Sequence, residues 1–344
     1  MPSFPIAPVG ARRGDHDLLS VLARVPDPRD PRGVRYPLSG MLAVAVCAVL
    51  AGARSFAAIG EWALDLRADQ LGRLGLAKAP VESTLRKLFA RLDTVALDRQ
   101  LAVVAWTRTR HIAGRRVIAI DGKTVRGART ATTTAPHLIA ALDHATGVVL
   151  GQNAVAVKSN EIPAVRDLLA GFTSADLHRC VITVDAMHTQ DDTAQAIVNA
   201  GADYVFTVKA NKPTLLKALK ALPWNKIPVG STSTNRSHGR RATRTIKVIQ
   251  TPALSGWPEF TGVAQVAQLR RTATRNGKKT IEVVYLITSA VHTDAPPAVP
   301  AAWVKDIGAS RTSCTTSATS PSTRTDPRSE PATHLTSWPR YATP

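Results

Sequence analysis

The sequence is short of cysteine, of acidic residues and of long apolar runs, and each shortage removes a class of protein. Its three cysteines, Cys47, Cys180 and Cys314, lie far apart and form no C-x-x-C pair. A disulfide framework and a thiolate zinc site are therefore excluded, and a reducing cytoplasm is the expected setting. The longest uncharged apolar stretch, Leu38 to Ala53, has sixteen residues and contains Ser39, Gly40 and Gly52. A membrane helix needs roughly 20 apolar residues, so this run reads as a buried core helix and no membrane partner is expected. The first residues mix Pro, Gly and Asp with Arg12 and Arg13 and lack the apolar segment of a secretory signal.

What is present is a chain of 344 residues, 44% hydrophobic and 20% charged. That describes a soluble globular protein of one large or two ordinary domains with ample core. Lys and Arg number 44 against 25 Asp and Glu, a formal charge of +19. A surplus of that size points to a polyanionic partner, with nucleic acid first among them.

The pattern along the chain divides it into three. Residues 1–37 are a turn-prone basic lead-in, including Asp27-Pro28-Arg29-Asp30-Pro31-Arg32-Gly33. Four helices then follow, at Leu38–Ala53, Phe56–Leu66, Val81–Leu92 and Val95–Trp106, so residues 1–110 read as a small all-α domain. Arg86, Lys87 and Arg91 give the third helix a basic face, which suits either a DNA groove or solvent equally. From residue 116 strands appear at Arg116–Ile120, His137–Leu142 and Val148–Val157, followed by a helix at Pro163–Gly171. Strand and helix then alternate through Cys180–Val184, Thr189–Ala200, Tyr204–Val208 and Thr214–Leu222. The class is α/β: an antiparallel meander joined to a parallel half, the element order of an RNase H-like fold.

Three further strands, Thr243–Gln250, Val263–Leu269 and Thr280–Thr288, form a strand-rich insertion at about residues 223–290. From Phe206 to Lys279 there are fifteen basic residues and the single acid Glu259, which is +14 of the total +19. A solvated surface normally mixes signs, so this one-sided stretch favours a phosphate-binding face. In residues 306–344, seven Ser, nine Thr and five Pro leave Ile307 and Leu335 as the only large aliphatics. Such a tail cannot offset its ordering entropy and is expected to be disordered.

Two aspartates stand at matching places. Asp121 follows Val117-Ile118-Ala119-Ile120, and Asp185 follows Val181-Ile182-Thr183-Val184. A carboxylate at the carboxyl end of an apolar strand is exposed while its backbone is held rigidly. If the two strands are neighbours, the pair converges and can share hard divalent cations through oxygen. Two such ions roughly 4 Å apart activate an attacking hydroxyl and stabilise the leaving oxygen of a phosphodiester. One Asp alone would more often begin a turn or cap a helix.

The neighbours make the pair specific. Asp121-Gly122-Lys123-Thr124-Val125-Arg126-Gly127, Lys158-Ser159-Asn160-Glu161-Ile162, Val184-Asp185-Ala186-Met187-His188-Thr189-Gln190 and Val208-Lys209-Ala210-Asn211-Lys212 occur in order. Together with Asp30-Pro31-Arg32-Gly33, Tyr36-Pro37 and His238-Gly239-Arg240, they resemble the DDE transposases of bacterial insertion sequences, in the H-repeat-associated (ISAs) group. The resemblance covers roughly residues 17–305. It implies an RNase H-like core (111–305) after a helical domain, with a basic insertion before a final catalytic helix. It also implies two Mg2+ (or Mn2+) ions held by three carboxylates, of which Asp121 and Asp185 match the first two. Lys123, Arg126, Lys209, Lys212, His238, Arg240, Arg241 and Arg244 suit DNA contact, and His188 and Gln190 suit orientation of the metal-binding acids. Trp224 and Trp257 could stack on an unpaired base, but such residues are more often core. The implied partners are double-stranded DNA, as terminal inverted repeats and target, and further copies of the chain, because two ends must be paired.

The third acid is missing. The family pattern places it in H-W-x-I-E-N-x-L-H, followed by D-V-x-F-x-E-D, whereas this chain reads Ala302-Trp303-Val304-Lys305 and enters the tail. Glu330, between Ser329 and Pro331, is a poor substitute. Joining the third base of each codon from Asp306 to the first two of the next permits H-W-G-I-E-N, and across Ala318 to Thr325 permits D-V-T-F-D-E-D. A frameshift near Lys305 accounts for this coincidence better than a divergent tail does. The expected function is DNA strand cleavage and transfer at element ends, defective in this chain. The alternatives are a non-enzymatic binder that occupies those ends as an inhibitor, or a relic without function. The expected place of action is the cytoplasm, at the nucleoid.

Overall fold

The computed structural model describes residues 17–125, 134–155, 161–237, 240–251, 257–275 and 278–305. Arg126, His238 and the tail from Asp306 lie outside the described residues. Six helices come first: α1 (Leu18–Leu22), α2 (Leu38–Leu50), α3 (Phe56–Leu64), α4 (Ala68–Arg73), α5 (Glu82–Phe89) and α6 (Thr94–Trp106). Helix α2 is the apolar run noted above. It buries Leu38, Met41, Leu42, Val44 and Ala48 among Ile59, Leu71, Leu76, Leu85 and Leu88, each large side chain contributing roughly 1.5–3 kcal/mol. Gly40 is required there, since a Cβ would lie 2.1 Å from the Leu74 carbonyl oxygen. No helix of the described residues is long and apolar enough to cross a membrane.

Helices α1 and α4 were not legible in the sequence, being five and six residues long, too short for a helical period to register. The α1 start is nevertheless capped by Asp17, whose side chain accepts from the Ser20 amide.

Next come strands β1 (His111–Ile112), β2 (Arg115–Thr124), β3 (His137–Asp143) and β4 (Val149–Val155), then helices α7 (Glu161–Ala170) and α8 (Ser174–Leu177). Strand β5 (Val181–Val184) leads through a 3₁₀ turn (Ala186–His188) to α9 (Asp191–Asn199), β6 (Asp203–Val208) and α10 (Pro213–Ala221). Strands β7 (Ser231–Ser237), β8 (Arg240–Gln250), β9 (Gln265–Arg275) and β10 (Lys278–Thr288) precede α11 (Ala298–Trp303). The main path of the sheet runs β4-β3-β2-β5-β6-β10-β9-β8-β7, with β1 pairing off it to β2. Strands β2, β5 and β6 are mutually parallel, and the rest of the path is antiparallel. This is the α/β, RNase H-like arrangement that the element order implied.

The basic insertion differs from expectation in two ways. It has four strands, because Ser231-Thr232-Ser233-Thr234-Asn235-Arg236-Ser237 pairs with β8 as an edge strand. With no apolar face, that segment carries no period-2 signal. The insertion also continues the main sheet through β6 and β10, where Val208 pairs with Tyr285 and Val205 with Thr288.

The two faces of the sheet carry different cores. On one, Ile118, Ile182, Tyr204, Phe206 and Ile287 pack with Val165 and Leu168 of α7 and Ile197 of α9. Trp106 of α6 joins that core, 5.9 Å from the Phe172 ring, so α6 docks the helical unit onto the sheet. The other face buries Val117, Val181, Val205, Ile246, Leu269 and Leu286 under Trp303, whose indole donates to the Ile112 carbonyl at 3.0 Å.

Candidate active site

Strand β2 pairs in parallel with β5, Ala119 opposite Thr183 and Ile120 opposite Val184. The residue after the last paired position of each strand is an aspartate, so Asp121 and Asp185 stand just past the end of the β2–β5 pairing. Side chains alternate along a strand, which puts both carboxylates on the face of Val117 and Val181. Neighbouring strands lie about 4.8 Å apart, which brings the two aspartates to one edge of the sheet. The sequence had Asp121 ending its strand. In the structure β2 continues to Thr124, because Asp121 still pairs with Ala140 of β3 after the parallel pairing has stopped.

Asp185 opens the 3₁₀ turn, and its Oδ1 accepts from the Ala186 amide at 2.8 Å. Two residues of the motif at 208–212 hold this turn from the β6 end. Asn211 donates from Nδ2 to the Ala186 carbonyl at 2.6 Å, and Lys209 brings Nζ to 3.8 Å from Asp185 Oδ1. The Thr189 hydroxyl donates to the Thr207 carbonyl at 2.9 Å, fixing the far end of the same turn. The role of Asn211 was not legible in sequence, since its partner lies 25 residues away and was named by no periodicity.

Behind the two aspartates lies a buried group to which the sequence pattern assigns no role. Glu161, the first residue of α7, is 5% exposed. Its Oε1 comes within 2.8 Å of His137 Nε2, without hydrogen-bond alignment, and its Oε2 lies 3.7 Å from His188 Nε2. His137 faces Thr124 across the β2–β3 pair, with Nδ1 at 3.0 Å from the Thr124 hydroxyl. His188 is fully buried. That burial pushes its imidazole below the usual histidine range, against the opposing pull of Glu161, Asp185 and Asp121.

Of the remaining sequence candidates, Gln190 caps α9 and donates to the Met187 carbonyl at 3.3 Å, a local turn contact. Lys123 lies in β2 two residues after Asp121, so alternation puts it on the same face. Lys212 precedes α10 beside a cleft lined by Asp191, Thr214 and Phe260. Trp224 is core, as expected: its indole donates to the Leu219 carbonyl at 2.6 Å, and its ring lies 6.1 Å from that of Tyr285. Trp257 is partly buried against the same core. In α5, Leu85 and Leu88 are buried, Arg86 pairs with Glu82 and its guanidinium sits 5.3 Å from the Phe56 ring centre.

The basic arm is split by its strand register. Beyond Tyr285, β10 runs past the end of β6 together with β7, β8 and β9, so the arm overhangs the edge where the two aspartates stand. Arg244 pairs with Arg271, which pairs in turn with Glu282. By alternation from Ile246 and Leu269, Arg244 and Arg271 share the face of Asp121 and Asp185. Arg241 and Arg270 fall on the opposite face. Arg240 pairs with Arg275 near the tip.

Hard carboxylate oxygens on one edge suit Mg2+ or Mn2+, and Asp121 and Asp185 fit that chemistry as a pair. Among the described residues, no group of three or more His, Cys, Asp or Glu side chains is arranged to hold a metal ion.

A family model described as "Transposase DDE domain" matches residues 112–323, and a second, "DDE_Tnp_1-associated", matches residues 19–107. The chain belongs to the DDE transposase family. Two proteins called "Putative transposase YncI" are 35% identical to it over 241 residues, 66% of this chain. The one from Escherichia coli O157:H7 is matched over 59% of its own length and the one from strain K12 over 93%. The "H repeat-associated putative transposase YhhI" of Escherichia coli K12 is 30% identical over 249 residues, 68% of this chain and 63% of that protein. The chain thus spans less than two thirds of the length of some relatives that it matches.

Proposed function

We propose that this transposase-family chain descends from an enzyme that cuts and joins DNA at the ends of its own insertion sequence, and that the chain as written is defective in cleavage. The placement of Asp121 and Asp185 just past the paired ends of neighbouring strands carries this reading. Those two carboxylates would hold Mg2+ or Mn2+, which supplies polarisation of the scissile phosphodiester and of the attacking hydroxyl when bound. The chain's own residues do the rest. Lys209 offsets part of the local negative charge and suits a phosphate contact, and Lys123 and Lys212 extend that role along the edge. Double-stranded DNA, the terminal inverted repeats and then the target, runs from this edge along the arm face of Arg244 and Arg271. Arg126, His238 and Arg240 belong to the same proposed contact set from sequence alone.

The defect follows from the third acid. Between Asp294 and Lys305 there is no Asp or Glu, and α11 is Ala-Val-Pro-Ala-Ala-Trp. Two carboxylates hold such ions poorly, so cleavage is lost. We attribute the loss to a frameshift near Lys305, with residues 306–344 read out of frame. The family match itself runs on to residue 323, so the gene is the test: a −1 frame, read from the third base of each codon, without H-W-G-I-E-N removes the explanation. In domain terms we propose a helical unit to about residue 110, a catalytic region from 111 to 305 and a foreign tail.

The second reading is a non-enzymatic protein that occupies element ends and inhibits active copies. The intact arm beside an incomplete acid set favours it. The deciding experiment mixes the purified chain with duplexes that carry or lack the element ends, with Mg2+ or Mn2+, and reads binding and cleavage together. Salt-sensitive, end-specific binding without cleavage supports both the DNA assignment and the defect. Cleavage that is lost on Asp121→Ala overturns the defect. Equal binding to both duplexes removes the inhibitor reading and leaves a relic. Pairing of two ends makes a homo-oligomer on DNA part of the proposal, with the nucleoid as its place of action.

A further inference from the structure

Glu161 has a position that neither DNA contact nor the aspartate pair accounts for. A buried carboxylate is costly to place, and two imidazoles from different segments lie against this one, His137 at 2.8 Å and His188 at 3.7 Å. His137 ties it to β3 and, through Thr124, to the strand that carries Asp121. His188 ties it to the 3₁₀ turn that Asp185 opens. Its contact with Asp121's neighbour is also close: a Cβ on Gly122 would come within 3.2 Å of Glu161 Oε2 and 3.0 Å of His137 Nε2. The glycine that follows Asp121 is therefore the residue that admits the carboxylate.

We propose that Glu161 is a positioning residue that fixes the spacing of Asp121 and Asp185 by bridging the two segments that bear them. The inference rests on the reading of Asp121 and Asp185 as a divalent-metal pair. In this reading Asp121 and Asp185 would hold the ion and Glu161 would not. Glu161 acts through His137 and His188, as outer partners of metal ligands do, and their loss typically lowers metal affinity by about 10–100-fold.

The test is Mn2+ binding by the full chain, followed by the electron spin resonance of free Mn2+ at a temperature where circular dichroism finds every variant folded. Glu161→Gln should weaken Mn2+ binding by about tenfold or more. His137→Ala keeps the carboxylate and its charge while removing one tie, and should weaken binding similarly, which separates positioning from simple loss of negative charge. Leu168→Ala, a core truncation in the same helix, should leave the affinity within about threefold, although it destabilises the protein. If Glu161→Gln and His137→Ala stay within threefold of the parent while Asp121→Asn abolishes binding, the bridge is overturned and the metal pair stands. If Leu168→Ala loses as much as Glu161→Gln, the effect is general loosening and the bridge is overturned again. If Asp121→Asn and Asp185→Asn bind Mn2+ like the parent, the metal pair falls and the bridge with it. Should Glu161→Gln fail to fold, His137→Ala decides between the same outcomes.

Discussion

Arg244 stands directly across from Arg271 in an antiparallel pair, two like charges where a sheet normally avoids them. Glu282, the next rung, approaches Arg271 at 3.6 Å and offsets part of the repulsion. By alternation, that rung lies on the face shared with Asp121 and Asp185.

The double substitution Arg244→Ala with Arg271→Ala should weaken duplex binding and lower the salt slope of log K by about 2, one phosphate contact for each arginine. The pair Arg241→Ala with Arg270→Ala, on the opposite face by register, should change the slope by less than half as much. Fluorescence anisotropy across a salt series checks both. Equal slopes for the two pairs would remove the assignment of DNA to one face.

The missing acid yields a gain-of-function experiment. A protein carrying residues 1–305 followed by the shifted-frame sequence should cleave element-end duplexes with Mg2+, and Asp121→Asn should abolish that cleavage. Gel analysis of labelled ends reads the outcome, and no cleavage from the joined protein counts against the frameshift.

Arg115 opens β2 with most of its side chain buried, pairing with Asp203 at 2.6 Å and donating from Nε to the Arg179 carbonyl at 2.7 Å. Its guanidinium also lies 5.6 Å from the Trp303 ring centre. Arg115→Ala removes the cationic partner of Asp203 and the side-chain donor to the Arg179 carbonyl, so about 3–5 kcal/mol of stability should be lost. Urea denaturation of the two proteins measures this directly. A loss below about 1 kcal/mol would mean that Asp203 is satisfied by the Ser289 hydroxyl alone, which donates to it at 2.6 Å.

Asp98 of α6 accepts from Gln152 of β4 at 2.8 Å where the helical unit docks, and burial raises its carboxyl above the ordinary 3.8, with the Gln152 bond opposing the shift. A raised folded-state value means that the folded protein holds the proton more tightly than the unfolded chain. The associated stability is present at low pH and is lost as pH rises through the folded-state value. At pH 7 the ionised Asp98 is therefore a standing cost. Asp98→Asn keeps an acceptor for Gln152 and should stabilise the protein at pH 7, with the gain shrinking as pH falls toward 3.8. Parallel denaturation curves at pH 7 and pH 4 check the sign.

Much of the fold was legible because it is written in local periods. The apolar run of α2, the alternation in β2 and β5 and the strand-helix alternation from 181 to 221 each carry their own pattern. The matching ends of two apolar strands also named Asp121 and Asp185 before any geometry was known. Strand β7 escaped because it has no apolar face, and α1 and α4 because a helical period needs more than five or six residues to register.

By itself the sequence determined many of the element types and the charge surplus in the arm, and it singled out Asp121 and Asp185, since each is a property of residues near one another in the chain. Only the tertiary structure decided which strands are neighbours, and hence that Asp121 and Asp185 stand at one edge, that Arg244 faces Arg271, and that Glu161 approaches both His137 and His188. The physical reason is that register and burial are set by the packing of segments distant in sequence, and no local period encodes which distant partner a buried carboxylate will meet.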